Sequence, residues 1–437
     1  MTEEPDRLPA IAAALRSAAA RHGTPVTVTD VATLDAAAAR IADAFPDPWL
    51  RAYSLKANDV VAIVARLGAL GLGANVVSRG EWAVASRAGI PNDRVTLEGI
   101  GKTDADLRAA LRTAREGRPL RWIAIESMDE AAALGQLARQ PRRARADRPP
   151  AGAASPLEVL FRFNPGVNPE THAGLAVGAP ASKFGMTADE VTTTIELIEG
   201  TPGLRARGLH LHVGSQLRSV DAWRDGVRRA LALLALVRGS LVAFDTLDLG
   251  GGFPVLPLGE PTPDPERFAR EVAPLLEAIA ADRRPSRLAI EPGRALVARA
   301  GFLVGRVLHV RERDGRQVVL DVGMTDLIRP ALYGARHEVV ALTSLGRPVS
   351  GTGDADRRIA TEIARVDGPI CESTDALGEH ALPPLRRGDL VAIRDVGAYA
   401  ASLASTYNGR PRTPQVLLEL DGRLRLVRRR GSLASLG

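Results

Sequence analysis

From residue 32 to about 295 the chain repeats one unit, and that repetition limits its fold more than any other feature. Alanine-rich helical segments such as "TLDAAAARIADAF", "DVVAIVARLGALG", "EWAVASRAGI" and "TDADLRAALRTARE" follow one another. Short β-branched or apolar runs separate them: "ANVVS", "RVTLEG", "RWIAIES", "LEVLFRFN", "LRARGLHLHVG", "TLDLGGG" and "RLAIEPG". A strand–helix repeat calls for a parallel sheet covered by helices, open or closed into a barrel. About eight units in roughly 260 residues is the size of a (β/α)8 barrel. The expected fold class is therefore α/β, with a TIM-like barrel over residues 32–295.

Beyond residue 295 strands dominate: "FLVGRVLHVRE", "RQVVLDVG", "RIATEIARV", "DLVAIRD" and "PQVLLELDGRLRLVRR". Their alternation, with turns at "RDG" and "LDG", predicts an antiparallel β-barrel or sandwich domain over 296–437. Residues 1–31, a helix followed by the β-like run "TPVTVTD", are expected to add a strand to it. The Pro/Ala/Arg-rich stretch 140–156 reads as an exposed loop.

Composition narrows the function classes. No apolar run is long enough to span a membrane; the longest, "ALALLALV" at 230–237, is flanked by arginines and reads as a buried helix. The N-terminal "MTEEPDRLPA" is acidic and polar, unlike a signal peptide. A single cysteine, Cys371, leaves no internal disulfide framework. These features point to the cytoplasm. The net charge is +6, but the arginines are scattered and aromatics make up only 4% of the chain, so no nucleic-acid partner is expected.

Within "AYSLKAND" stands Lys56, one of only three lysines beside Lys102 and Lys183; every other basic residue of the 57 is arginine. It follows a β-like run, at the end of a barrel strand where catalytic groups collect. A primary amine condenses with an aldehyde, which a guanidinium does not. A surface lysine that escaped the arginine bias is the competing reading. "LDLGGGFPV" sets Gly250, Gly251 and Gly252 at another strand end, either a phosphate-approaching turn or simply a tight one. "AIEPGRALVA" places Glu291, Gly293 and Arg294 after the last barrel strand. In "HLHVGSQ", His210 and His212 share a strand face. That spacing could hold a metal, yet no third ligand cluster is visible, and His210 reads as a packed core residue. No metal is expected. "GPICESTD" carries Cys371 beside Glu372, "LIRPALYG" carries Arg329 and Tyr333, and "RDVGAYAAS" carries Tyr399.

Together these stretches resemble the fold-type III pyridoxal-phosphate decarboxylases, and within them the branch acting on diaminopimelate. The matching segments are "YSLKAN", "HLHVGSQ", "DLGGGFPV", "EPGRALV", "DVGMTDLIRPALY", "GPICESTD" and "GDLVAIRDVGAYAASLASTYNGRPR". They keep the family's order over nearly the whole chain. The resemblance implies pyridoxal 5'-phosphate as cofactor, carried on Lys56. It implies that His212 stacks on the cofactor ring and that Glu291 pairs with the ring nitrogen. Ser215, Gly250 to Gly252, Gly293, Arg294 and Tyr399 are implied to hold the cofactor, chiefly its phosphate. Arg294, Arg329, Tyr333 and Tyr399 would bind the substrate's distal carboxylate end, Glu372 its distal amine, and Cys371 would donate a proton. The Cys and Tyr loops serve the partner subunit in this family, which implies a two-fold homodimer with composite sites.

The implied reaction converts meso-2,6-diaminopimelate to L-lysine and CO2. A paralogous decarboxylase of another amino acid with a distal carboxylate, and a non-catalytic cofactor-binding homologue, are the alternatives. Three departures from the family pattern bear on that choice: Asn75 in "GANVVS" stands where an acid is usual, Ile100 in "GIGKT" replaces an asparagine, and "HAGLAVG" at 172–178 replaces a different loop.

Overall fold

The computed structural model describes residues 6–140, 154–257, 260–349 and 360–435, so most of the loop expected over 140–156 lies outside them. The chain divides into two compact units. One holds residues 38–256 and 261–293; the other holds residues 1–37, 257–260 and 294–437.

Strand β1 (Val26–Asp30) belongs to the second unit. The first unit is a closed barrel of eight parallel strands: β2 (Leu50–Ser54), β3 (Gly73–Val76), β4 (Val95–Leu97), β5 (Trp122–Ile125), β6 (Leu157–Phe163), β7 (Leu204–Leu211), β8 (Thr246–Asp248) and β9 (Arg287–Ile290). β9 pairs with β2 to close the ring. The strands are short and mostly buried, as expected where both faces of a parallel sheet are covered. Trp122, Ala124, Leu160 and Ala289 pack together, with Leu50 against them.

The outer helices begin where local chemistry dictates. Ser78 and Ser127 accept from the backbone N–H three residues on, at Glu81 and Glu130. Thr103 with Asp106 and Thr187 with Glu190 form reciprocal capping boxes. Each cap satisfies N–H groups that the first helical turn leaves without partners.

The second unit is built on a nine-stranded mixed sheet. β1 lies between Gly301–Glu312, to which it is antiparallel, and Gln415–Leu418, to which it is parallel. Arg316–Leu320 and Glu362–Asp367 are also parallel neighbours, while the remaining pairs are antiparallel. Strand alternation read from the sequence predicted antiparallel pairing throughout. It reports which face is buried, whereas direction follows from the connection, and these parallel partners are far apart in the chain rather than joined by hairpins. Leu8, Ile11 and Leu15 of the helix Leu8–His22 pack with Val26 and Val28 of β1 in one apolar cluster. Among the described residues no helix is long and apolar enough to cross a membrane.

Candidate active site

The carboxyl ends of the barrel strands converge a distinctive set of side chains. β2 ends in a short 3-10 turn, Leu55–Ala57, whose middle residue is Lys56. Leu55 and Ala57 are fully buried on either side of it. The Tyr53 hydroxyl donates to the Asn58 carbonyl (2.9 Å), and Val60 N–H donates to Asn58 Oδ1 (3.1 Å), which closes the turn. Gly293 permits close packing here: a Cβ on it would stand 3.2 Å from Ser54 Cβ and 3.3 Å from Ala57 Cβ.

His212 follows β7. Its Nδ1 accepts from Gly251 N–H at 3.2 Å. Removal from water, then the nearby Lys56 ammonium, push its pKa well below 6.5. The ring is therefore neutral, with its proton on Nε2. Gly250 and Gly252 have φ of +66° and +112°, a region that L side chains avoid. A Cβ on Gly250 would stand 2.2 Å from the Leu211 carbonyl oxygen, and one on Gly251 2.7 Å from that of Glu291. The glycine turn thus lets the ends of β7, β8 and β9 meet.

Ser215 sits in the loop after His212. Its N–H donates to the Leu175 carbonyl (3.2 Å), and its own carbonyl accepts from Thr171 Oγ1 (2.5 Å). Gln216 (φ +59°) exchanges two side-chain hydrogen bonds with the Val255 backbone. The 172–178 stretch packs alongside, through Val177 and Gly178 N–H to the Val213 carbonyl.

Glu291 is 4% exposed and opens the loop after β9. Its Oε1 accepts from Asn75 Nδ2 at 2.6 Å, and Asn75 also bonds Thr96 and Ser54. The absence of a carboxylate cluster around the histidines, expected from sequence, is corrected here. Ligand atoms of Glu98, His210 and Glu291 all lie within 4.8 Å of one another. β4 and β7 are distant in sequence, and only barrel closure brings Glu98 to His210. Burial, followed by the Glu291 charge, pushes Glu98 up to about 8; burial pushes His210 down to about 4. Asp248, buried beside them, is raised well above its ordinary value by burial and then by Glu291. At neutral pH this cluster favours neutral Glu98 and His210, which limits the negative charge around Glu291. Of the three departures from the family pattern, Asn75 touches Glu291, whereas Ile100 is 41% exposed.

The β unit holds the other predicted residues. Arg294 and Arg329 are both buried. The Arg294 guanidinium lies over the Tyr399 ring, 4.7 Å from its centroid, within cation–π range. Tyr399 itself has φ of +57°, which costs a non-glycine residue free energy and is found where a site requires it. Burial, then the neighbouring Arg294 charge, push Arg329 down to about 10. Tyr333 lies near enough to both arginines to oppose these shifts. Cys371 and Glu372 are exposed, and Glu372 Oε1 accepts from the Tyr407 hydroxyl at 2.5 Å. Sequence reading did not single out Tyr407. It also missed Asp375, whose carboxylate accepts from Met324 N–H (2.6 Å) and Ile370 N–H (2.7 Å) and so shapes the Cys371 loop. An Asp closing a Gly-Pro-containing loop is the local signal that could have found it.

A family model described as "Pyridoxal-dependent decarboxylase, pyridoxal binding domain" matches residues 31–298. The chain is 38% identical to a diaminopimelate decarboxylase of Actinosynnema pretiosum subsp. auranticum, over 94% of this chain and 87% of that one. It is 33% identical to a diaminopimelate decarboxylase of Zymomonas mobilis, over 96% and 93% of the two chains. The solved diaminopimelate decarboxylase of Helicobacter pylori, complexed with L-lysine, superposes with a TM-score of 0.84 at 28% identity, covering 96% of this chain and 98% of that one. With a barrel that gathers Lys56, His212 and Glu291 and a match to relatives along nearly its whole length, this chain belongs to the pyridoxal-dependent decarboxylases.

Proposed function

We propose that this protein decarboxylates meso-2,6-diaminopimelate to L-lysine and CO2, using pyridoxal 5'-phosphate, as a homodimer with composite sites. The observation that carries the reading is the placement of Lys56, His212 and Glu291 at one mouth of the barrel. That donor set fits the cofactor: a primary amine for its aldehyde, a flat neutral imidazole for its ring, and a buried carboxylate for its ring nitrogen. The glycine turn Gly250 to Gly252, with Ser215 and Gly293, is assigned to the cofactor's phosphate. Arg294 and Tyr399 are assigned to the cofactor and to the substrate's carboxylate end.

When bound, pyridoxal phosphate supplies an electron sink for the pair left behind as CO2 departs. Lys56 Nζ would hold the cofactor by its aldehyde carbon. Glu291 would hold a proton on the ring nitrogen, and Asn75 holds Glu291 by donating to Oε1. Arg329, with Arg294 and Tyr333, grips the distal carboxylate; a planar guanidinium fork suits that group. Glu372 meets the distal amine, with Tyr407 orienting its carboxylate. Cys371 Sγ returns a proton to the carbon that has lost CO2. The exposure of Cys371 and Glu372 suits loops that serve the partner's barrel.

The test has two arms. CO2 release is measured on a panel of diamino and amino-dicarboxylic acids, and diaminopimelate is expected to give CO2 and lysine in equal amounts. Borohydride treatment of the purified protein is expected to fix the cofactor to the peptide containing Lys56. Lys102 is buried in an ion pair with Glu130 at 2.9 Å and is not expected to be labelled. Label on Lys102 or Lys183, or no turnover of diaminopimelate, overturns the reading.

A further inference from the structure

We propose that His337 is a positioning residue that sets the pose of the Arg329 guanidinium, and through it the grip on the substrate's distal carboxylate. This rests on the function proposed above and deepens it.

His337 and Arg329 are 3% and 7% exposed. His337 Nε2 lies 2.8 Å from Arg329 Nη1, and His337 Nδ1 lies 2.9 Å from the Arg394 carbonyl oxygen. Each partner leaves one option. A carbonyl only accepts, so Nδ1 carries the hydrogen; a guanidinium only donates, so Nε2 of the neutral ring accepts. The ring is therefore held in one tautomer and one orientation from both sides. The local chain makes this possible. The short helix Arg329–Tyr333 ends at Gly334 in the left-handed conformation, and the chain turns back so that His337, eight residues after Arg329, reaches its side chain.

The chemistry of the support matters. Among the described residues Arg329 forms no ion pair, and its buried Nε has no protein partner. The strongest charge acting on it is that of another cation, Arg294, which the Asp395 carboxylate opposes more weakly. An aspartate or glutamate in place of His337 would hold the guanidinium equally well but would neutralise it. A neutral imidazole fixes one N–H of the fork and leaves the charge and the remaining donors for an incoming carboxylate. A buried cation with no carboxylate in direct contact is costly to the fold, so its retention suits a site that an anion completes.

His337 also lines a cavity of about 770 Å³ with Asp6, Arg336, Glu338, His380 and Arg394. Truncation at 337 therefore opens into existing space, which permits chemical rescue.

The experiment compares holoenzyme variants by KM and kcat for diaminopimelate, with circular dichroism and the visible cofactor spectrum as controls on folding. His337→Phe keeps a ring but removes the acceptor, and it is expected to raise KM roughly tenfold or more while kcat changes little. His337→Gln places an amide oxygen where Nε2 stood and is expected to restore most of the affinity. In His337→Ala, added imidazole is expected to lower KM toward the wild-type value. Arg329→Ala calibrates the reading beneath. If Arg329→Ala raises KM while His337→Phe does not, the positioning role is overturned and the proposed function stands. If Arg329→Ala leaves KM unchanged, the carboxylate is bound elsewhere and both are overturned. Should His337→Phe fail to fold, the Gln variant and the imidazole arm decide by the same criterion; loss of affinity that neither recovers counts against the proposal.

Discussion

The side-chain amide of Asn75 donates a 2.6 Å hydrogen bond to Oε1 of Glu291, joining residues 216 positions apart at the ends of β3 and β9. The bond is buried and charge-assisted when Glu291 is ionised, a class worth about 1.5–3 kcal/mol. Position 75 usually carries an acid in this family. Here the amide turns a potential acceptor into a donor, in a cluster that already holds Glu98, Asp248 and Glu291.

Asn75→Asp is therefore expected to destabilise the protein in a pH-dependent way. The new carboxyl would sit among buried carboxylates, so its folded-state pKa would be raised. A raised acid contributes stability at low pH that is lost as pH rises through its folded pKa. The urea midpoint of the variant should approach wild type near pH 5 and fall progressively behind it toward pH 8. A constant offset across that range would show that charge crowding is not the cause.

Subunit complementation tests the composite site. Lys56→Ala and Cys371→Ala subunits are each expected to be inactive alone. Mixed under conditions of verified subunit exchange, they should regain up to about a quarter of wild-type activity, since half of the dimers are hybrids with one intact site each. No recovery would place both residues of each site in one chain.

Acid should weaken the fold through its buried histidines. His337, facing Arg329, Arg294 and the Arg394 carbonyl, is pushed down to about 4, first by burial. His210 is also pushed down to about 4, first by burial, with Glu98, Arg162, Glu126 and Lys56 around it. Between 6.5 and 4 the unfolded chain binds protons at these positions that the folded chain does not, so their contribution to stability falls as pH falls. Below about 4 that contribution levels off. Glu98, raised to about 8, contributes in the opposite sense as pH falls below 8. The signature is consequently a difference: His337→Gln should lose stability less steeply than wild type between pH 6.5 and 4, read from denaturant midpoints. Parallel curves would mean that His337 titrates normally in the folded protein.

Local chemistry made much of the molecule readable. Eight strands separated by helices are visible because apolar runs and helical periodicity are properties of neighbouring residues. The caps at Ser78, Thr103, Ser127 and Thr187 each act over three positions. Lys56 stood out because arginine had replaced nearly every other lysine, which turned one amine into a signal. Glycines at 250 to 252 marked a turn that their positive φ angles and close contacts require.

The sequence by itself thus determined the repeating architecture, the identity of the amine, and the motif order that marks the family. Tertiary structure decided which groups touch. Nothing local to Asn75 shows that it reaches Glu291, and nothing local to His210 shows Glu98 beside it. The parallel placement of β1 beside Gln415–Leu418 and the His337 bridge from Arg329 to the Arg394 carbonyl were equally hidden. The physical reason is common to all of them. Periodicity and capping are written in residues a few positions apart, whereas a hydrogen bond across a barrel or sheet depends on which distant strands close together, and on the burial that closure imposes.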